Sequence, residues 1–373
     1  MSLLNYKYIL LYNMFSLNSL KEYYYVVLRE KKIRDNERKR FLEEAKGRFE
    51  NSAGQTIGSL KDYKKLLYKH RFSYDEYLRY KLYSLSQNER NNIISTCEMN
   101  SVYRKFVNDK IRKVFADKPS CLKLFDKWVQ RRWCSARNSS FNDFVKLVSS
   151  TDCIIKPING ECGKGIIKVK KSDKIDYASL YDYCVNNDML IEECIHACDE
   201  IDQFHPSSLN TIRVVTMSNS KKCVILGAAL RMGIGGSVID NIGGGGIFVP
   251  IDTVTGVIKN NAIDSKGNEY EKHPDTNKAI KGTILPYWRK VVEMCKDASK
   301  IVQGAVFIGW DICILPSGKV ELIEANALPD IIAIQFVPGY EKRNLLKKTS
   351  NELLNINLLR LTSVWSRSYR KHD

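Results

Sequence analysis

The first 150 residues hold only 3 of the 21 glycines in this chain of 373, and between Lys21 and Lys46 there is neither glycine nor proline. So few helix breakers, with apolar and charged residues interspersed, predict a helical region throughout that part and exclude a β-rich one. Paired cysteines are missing too. The eleven cysteines show no C-x-x-C spacing, and the nearest two, Cys194 and Cys198, have no second pair to match them. The expectation is reduced thiols in the cytoplasm, without a zinc site. No signal peptide is evident, and the first apolar run, "YILLYNMF", is interrupted by Asn13 and far too short to span a bilayer.

Acidic residues are scarce at the N-terminus. Residues 1–150 carry 31 Lys+Arg against 16 Asp+Glu, whereas residues 151–373 carry 28 against 26, so nearly all of the net charge of +17 is N-terminal. No RNA- or DNA-binding signature accompanies it, and nucleic acid is not an expected partner. The densest run, Arg29 to Arg40, includes Lys31, Lys32, Arg34, Arg38, Lys39 and Arg40. It reads either as a solvated helix face or as a surface for an anionic membrane or acidic glycan, the latter placing the protein at the inner face of the membrane.

From residue 152 the pattern becomes β-rich: "CIIKP", "GIIKVK", "MLIEE", "TIRVVTM", "CVILGAALRM", "GGIFVPI", "AVFIGWDICIL" and "KVELIEA". Helical patterns lie between, at 176–187 and along 278–302. Strands interleaved with a few helices and ending in a hairpin predict an α+β fold.

Four stretches carry candidate chemistry. In "IIKPINGECGKGIIKVK" (154–170), Lys156 is followed by Gly160, Gly163, Lys164 and Gly165. Glycine lets backbone N–H groups approach an anion and lysine supplies the charge, but an alternating run follows the glycines where a P-loop would have a helix. A hairpin lid over a nucleotide and an ordinary hairpin turn both fit this segment taken alone. In "WDICILPSGKVELIEANALPD", strands paired about the "PSG" turn set Asp311 opposite Glu324, with Asn326 on the same face; that is the hard oxygen set Mg²⁺ prefers. Carboxylate repulsion predicts that neutralising Asp311 or Glu324 leaves the fold intact. "MLIEECIHACDEI" carries Glu192 and Glu193 into a loop, where backbone groups could meet an adenine edge and a carboxylate a ribose; it also reads as a plain acidic strand end. Finally, Arg213 and Arg231 each sit in an apolar strand, where an arginine needs an anionic partner, and several glycines follow Asp240 and Asn241.

In this order, and with the phrases "SLNTIRVVT", "VIDNIGGGGIFVPID" and "IEANALPD", the chain resembles the ATP-grasp superfamily, specifically its sugar-transfer-associated branch found among surface-polysaccharide genes. The resemblance covers roughly residues 100–345. It implies an ATP-grasp domain over 101–373, with a lid subdomain near 150–200, a metal-binding subdomain near 205–345 and a C-terminal helix in 346–373, behind a helical basic region over 1–100. It makes Lys156 a ligand of the α/β-phosphates, Gly160 to Gly165 with Lys164 the lid, and Glu192, Glu193, Cys194 and Ile195 the adenine hinge. Asp199 becomes the ribose carboxylate. Lys110 becomes an earlier phosphate lysine, with Lys113 and Lys118 competing for the role. It implies two Mg²⁺ held by Asp311, Glu324 and Asn326, Arg213 and Arg231 as catalytic arginines, and substrate contacts from His205, Asn210, Asp240, Asn241 and Gly244. The implied activity is an ATP-dependent ligase that joins a small carboxylate and an amine, sugar-linked, into an amide through an acyl phosphate. An ATP-grasp kinase acting on a hydroxyl, and a basic non-catalytic adaptor, are the alternatives.

Overall fold

Ser59 accepts the Asp62 N–H and so starts α1 (Leu60–His70), which stops where Arg71 turns into the left-handed region. A reciprocal capping box between Ser73 and Glu76 starts α2 (Tyr74–Arg79). Tyr63, Tyr74 and Tyr77 from these two helices are buried ring against ring, with centroids 5.3–6.2 Å apart. This is a computed structural model that describes residues 32, 35–45, 49, 58–159, 165–335 and 342–356. The chain divides into two compact units, 1–101 with 346–373, and 102–345. In the first unit the basic run is helical over 35–45. Arg38 donates to the Tyr68 carbonyl at 3.2 Å and lies over its ring, and Arg40 pairs with Glu44, while Lys32 and Lys39 are exposed. Lys31 and Arg34 lie outside the described residues. No helix among the described residues is long and apolar enough to cross a membrane.

The second unit contains α3 (Asp109–Ala116) and α4 (Lys118–Leu124), followed by two antiparallel sheets. The smaller sheet has β1 (Trp133–Ser135), β2 (Cys153–Pro157), β3 (Ile167–Val169) and β4 (Met189–Glu193), in the order β1-β4-β2-β3. Because side chains alternate along a strand, Cys153, Ile155, Val169 and Ile191 go to one face. There they meet Phe144, Leu147 and Val148 of α5 (Phe141–Ser150) and Cys184 of α6 (Tyr177–Asn186). The other face, bearing Ile154, Lys156, Lys168 and Glu192, is left to a cleft.

The larger sheet comprises β5 (Thr211–Ser218), β6 (Cys223–Met232), β7 (Ile247–Ile251), β8 (Ala262–Ile263), β9 (Glu269–Tyr270), β10 (Phe307–Ile314) and β11 (Val320–Asn326). Its order is β11-β10-β5-β6-β7-β8-β9. One face carries Ile212, Val214, Ala228, Leu230, Trp310 and Ile312 into a core shared with Val291, Met294 and Cys295 of α7 (Trp288–Ala298). The architecture is the expected α+β.

Two local expectations fail. Helix does not run unbroken to residue 150, because Trp133–Ser135 form β1, whose ladder partner is β4. The pattern at 278–302 is helical only over Trp288–Ala298. Before it, Ile284 bridges to Val257, and Tyr287 takes a left-handed conformation (φ 54) after Pro286.

Candidate active site

The two polar sheet faces line one cleft of about 650 Å³. From the large sheet come Arg213 on β5, Arg231 on β6, Asp311 on β10, and Glu324 and Asn326 on β11. Their convergence follows from register: Asp311 lies between Arg213 and Glu324 across the two ladders, and Asn326 pairs with Gly309. Glu324 thus sits opposite Asp311, as the hairpin reading expects. A bulge after Asp311 leaves Ile323 unpaired and turns it towards the cleft.

Asp311 is 3% exposed. Arg213 grips both of its oxygens, with Nη2 at 2.9 Å from Oδ2, and Arg231 Nη2 stands 3.1 Å from the same oxygen. Burial alone would raise the carboxyl; the two guanidiniums overcome it and hold Asp311 below the usual carboxylate range. Arg231 also donates to Thr211 Oγ1, at 2.7 and 3.1 Å, and the Thr211 hydroxyl in turn donates to Asp240. Burial pushes the Asp240 carboxyl up, against the pull of Arg231 and Thr211.

A second chain of charge runs along the small sheet. Arg131, just before β1, donates to Glu192 Oε1 at 2.5 and 2.9 Å, to Glu321 Oε1 at 2.7 Å, and to the Leu322 and Ile323 carbonyls. Glu192 Oε2 pairs with Lys156. Burial would raise Glu192, but Arg131 and Lys156 hold it at about 2. Since its folded value lies below the ordinary 4.5, the pairing stabilises the protein fully above pH 4.5 and is lost as pH falls towards 2. Urea midpoints measured down this range should fall, and should fall less steeply in Glu192→Gln; equal slopes would remove this linkage.

Other expected residues are placed differently. Lys110 is exposed on α3 and does not line the cleft, whereas Lys118, at the first position of α4 after the Asp117 cap, does. Its ammonium donates to the Ile158 carbonyl at 3.0 Å and lies 4.0 Å from Glu324. Both Glu192 oxygens are engaged by cations, Oε1 by Arg131 and Oε2 by Lys156. The Glu193 and Cys194 N–H groups are bonded to the Arg132 and Asp152 carbonyls, both at 2.8 Å, and Ile195 and His196 line the cleft just beyond them. Glu193 also pairs with Arg132. Asp199 is exposed at the start of a four-residue helical turn, away from the cleft.

His205 and Asn210 are buried behind the cleft wall. The imidazole lies 2.9 Å from Ser208 Oγ and 3.3 Å from Asp275, and the Asn210 amide donates to the Ile201 and His205 carbonyls. Both hold the loop in place, which corrects their reading as substrate contacts. Asp240 and Asn241 do line the cleft, but Gly244 does not. The glycine required there is Gly246, where an added Cβ would come within 2.8 Å of the Asp240 and Met232 carbonyl oxygens. Gly160, Gly163 and Lys164 lie outside the described residues; Gly165 is described, at φ 73.

Two contributors went unread. Lys168 pairs with Ile154, so hairpin symmetry about the glycine turn already set it on the face of Lys156. Arg131 carries no local signal, because its carboxylate partners lie 61 and 190 residues away.

The donors that a magnesium ion would use are Asp311, whose oxygens Arg213 and Arg231 now hold, with Glu324 and Asn326 beside it. Two carboxylates and an amide occupy adjoining positions, and Glu324 is a third exposed. Among the described residues no three His, Cys, Asp or Glu gather into a metal cage; Mg²⁺ commonly keeps waters and substrate phosphates as its remaining ligands.

A family model described as sugar-transfer-associated ATP-grasp matches residues 98–351. No curated protein is a significant match. Among solved structures, the chain is similar to a biotin carboxylase from Campylobacter jejuni (11% identity, 68% of this chain and 46% of that one, TM-score 0.40). It is also similar to the D-alanine–D-alanine ligase from Coxiella burnetii (12%, 70% and 63%, 0.36) and to N5-carboxyaminoimidazole ribonucleotide synthetase from Thermotoga maritima (11%, 63% and 49%, 0.36). This chain spans about half the length of several of the structures it matches. These likenesses are too distant to carry an activity across.

Proposed function

This chain belongs to the sugar-transfer-associated ATP-grasp family, and from that membership and the charges of its cleft we propose that it is an ATP-dependent ligase joining a carboxylate to an amine. Enzymes of this fold use ATP and Mg²⁺. The observation that carries the reading is the meeting, in one cleft, of Lys118, Lys156 and Lys168 with the set Arg213, Arg231, Asp311, Glu324 and Asn326. The nucleotide base would lie at Ile195. The three lysines would neutralise the phosphates, with Glu192, itself held by Arg131, orienting Lys156.

Asp311, Glu324 and Asn326 would hold one Mg²⁺ or two, which when bound neutralises charge on the phosphoryl oxygens. In the first step a substrate carboxylate oxygen attacks the γ-phosphorus and the bond to ADP breaks. In the second, the amine nitrogen attacks the acyl carbon and loses a proton, and the bond to phosphate breaks. Arg213 and Arg231, held beside Asp311, would offset the negative charge that grows on the phosphoryl and acyl oxygens in the two steps. The family description supports a sugar-linked substrate, such as a uronic acid or amino sugar of a surface polysaccharide. Transfer to a hydroxyl would use the same nucleotide site and release no free phosphate.

Lys156→Ala should weaken ATP binding by about 2 kcal/mol, roughly thirtyfold, the scale of a lost charge-assisted contact. Calorimetry on a variant that melts cooperatively checks this. Wild-type affinity there would remove Lys156 from the nucleotide site.

A further inference from the structure

Cys198 N–H donates to the Ile314 carbonyl at 2.7 Å, which anchors the hinge at the far end of β10. Asp311 and its arginines come next along this strand, and Gly309 lies beyond them. From Ile314 to Gly309 is about 17 Å at the usual rise of a strand. A nucleotide laid from Ile195 to Arg213 runs in that direction, so the acceptor enters the cleft past Arg213.

What stands there is Asp330. It is exposed and lines the cleft. One oxygen accepts the Ile332 N–H at 2.9 Å, and among the described residues no cation lies within ion-pair distance of the carboxylate, although Arg213 is near enough to feel its charge. Ala327, Leu328 and Ile332 line the cleft around it. Its position is fixed from behind. The Tyr103 hydroxyl, buried edge-on against Phe307, donates to the Pro329 carbonyl at 2.8 Å. Pro329 in turn rests so closely on Gly309 that an added Cβ would come within 2.7 Å of the ring. A carboxylate fixed this firmly, past a cationic phosphate site and among apolar side chains, is built for a positive group.

Resting on the ligase reading, we propose that Asp330 receives the ammonium group of the amine substrate, which is therefore a primary alkylammonium compound entering with carbon atoms against Leu328 and Ile332. The ammonium passes its first proton to the Asp330 carboxylate, the neutral nitrogen then attacks the acyl carbon, and the second proton leaves with the departing phosphate, so Asp330 sets which nitrogen nucleophile is admitted. A neutral amide nitrogen would leave the carboxylate unpaired.

The test is calorimetry with Mg²⁺ and the non-hydrolysable analogue AMPPNP, then titration with glucosamine, galactosamine, serine, lysine, ethanolamine and N-acetylglucosamine. The wild type should bind at least one primary amine and not the acetylated sugar. Asp330→Asn keeps the acceptor for Ile332 and should weaken that amine roughly ten- to a hundredfold, the scale of a lost charged contact, with AMPPNP affinity within about twofold. Gly309→Ala, which moves Pro329 but removes no charge, should weaken the amine in the same way. Unchanged amine binding in Asp330→Asn, or no amine bound by the wild type, overturns the proposal. So does a loss confined to AMPPNP, which would make Asp330 a partner of Arg213. Failure of the wild type to bind AMPPNP would remove the ligase reading itself.

Discussion

Asp311→Asn should destabilise the protein by about 3–5 kcal/mol, the range seen when one partner of a buried ion pair is removed, whereas Glu324→Gln should shift stability by less than about 1 kcal/mol. Both should abolish ATP turnover. Carboxylate repulsion at the hairpin predicts instead that neutralising either acid leaves the fold intact. Geometry decides against this for Asp311, which is 3% exposed and gripped by Arg213 and Arg231, so neutralising it leaves two guanidiniums facing one amide. Glu324 is a third exposed and, among the described residues, pairs only with Lys118, at 4.0 Å, so water can replace that partner. Urea unfolding separates the two variants. Equal stability would mean that the Asp311 cluster carries no net weight in the fold.

Arg131→Ala should cost more. It strands Glu321, 0% exposed, leaves Glu192, 4% exposed, with Lys156 alone, and takes the donor from the Leu322 and Ile323 carbonyls. Each broken buried pair costs about 3–5 kcal/mol, against a typical total stability of about 5–15 kcal/mol. The variant should therefore be largely unfolded at 37 °C by circular dichroism. Replacing Arg131 with Met and Glu321 with Gln should restore much of the folding, because Glu192 keeps Lys156 and no buried carboxylate then lacks a cation. A cooperative wild-type melt for Arg131→Ala would refute the role of this bridge.

These two clusters differ in how far the sequence reveals them. The Asp311–Glu324 pairing is readable because the hairpin is short, its turn is marked by Pro316 and Gly318, and alternation then sets the facing residues. The Arg213 pairing is half readable: a charged residue in an apolar strand demands a partner, but β5 lies nearly a hundred residues before β10. Arg131 is not readable at all, for its ligands come from two different sheets.

β1 escapes for the same reason. Three residues within a helical-looking run become a strand only when β4 is there to pair with them. His205 looks like a substrate contact beside Pro206, Ser207 and Ser208; its burial is set by Asp275, seventy residues on. Local alternation and turn chemistry thus expose what a hairpin assembles, while long-range ion pairs stay hidden until the chain has folded.

If this cleft uses ATP to join a carboxylate to an amine, its products identify the reaction. The most direct measurement incubates the protein with Mg²⁺, ATP and a panel of uronic acids, amino acids and amino sugars, reading free phosphate and product mass in the same sample. The account predicts ADP and phosphate released in equal amounts, together with a product whose mass is that of acid plus amine less one water. A product heavier than one substrate by a phosphoryl group, with no phosphate released, would contradict it.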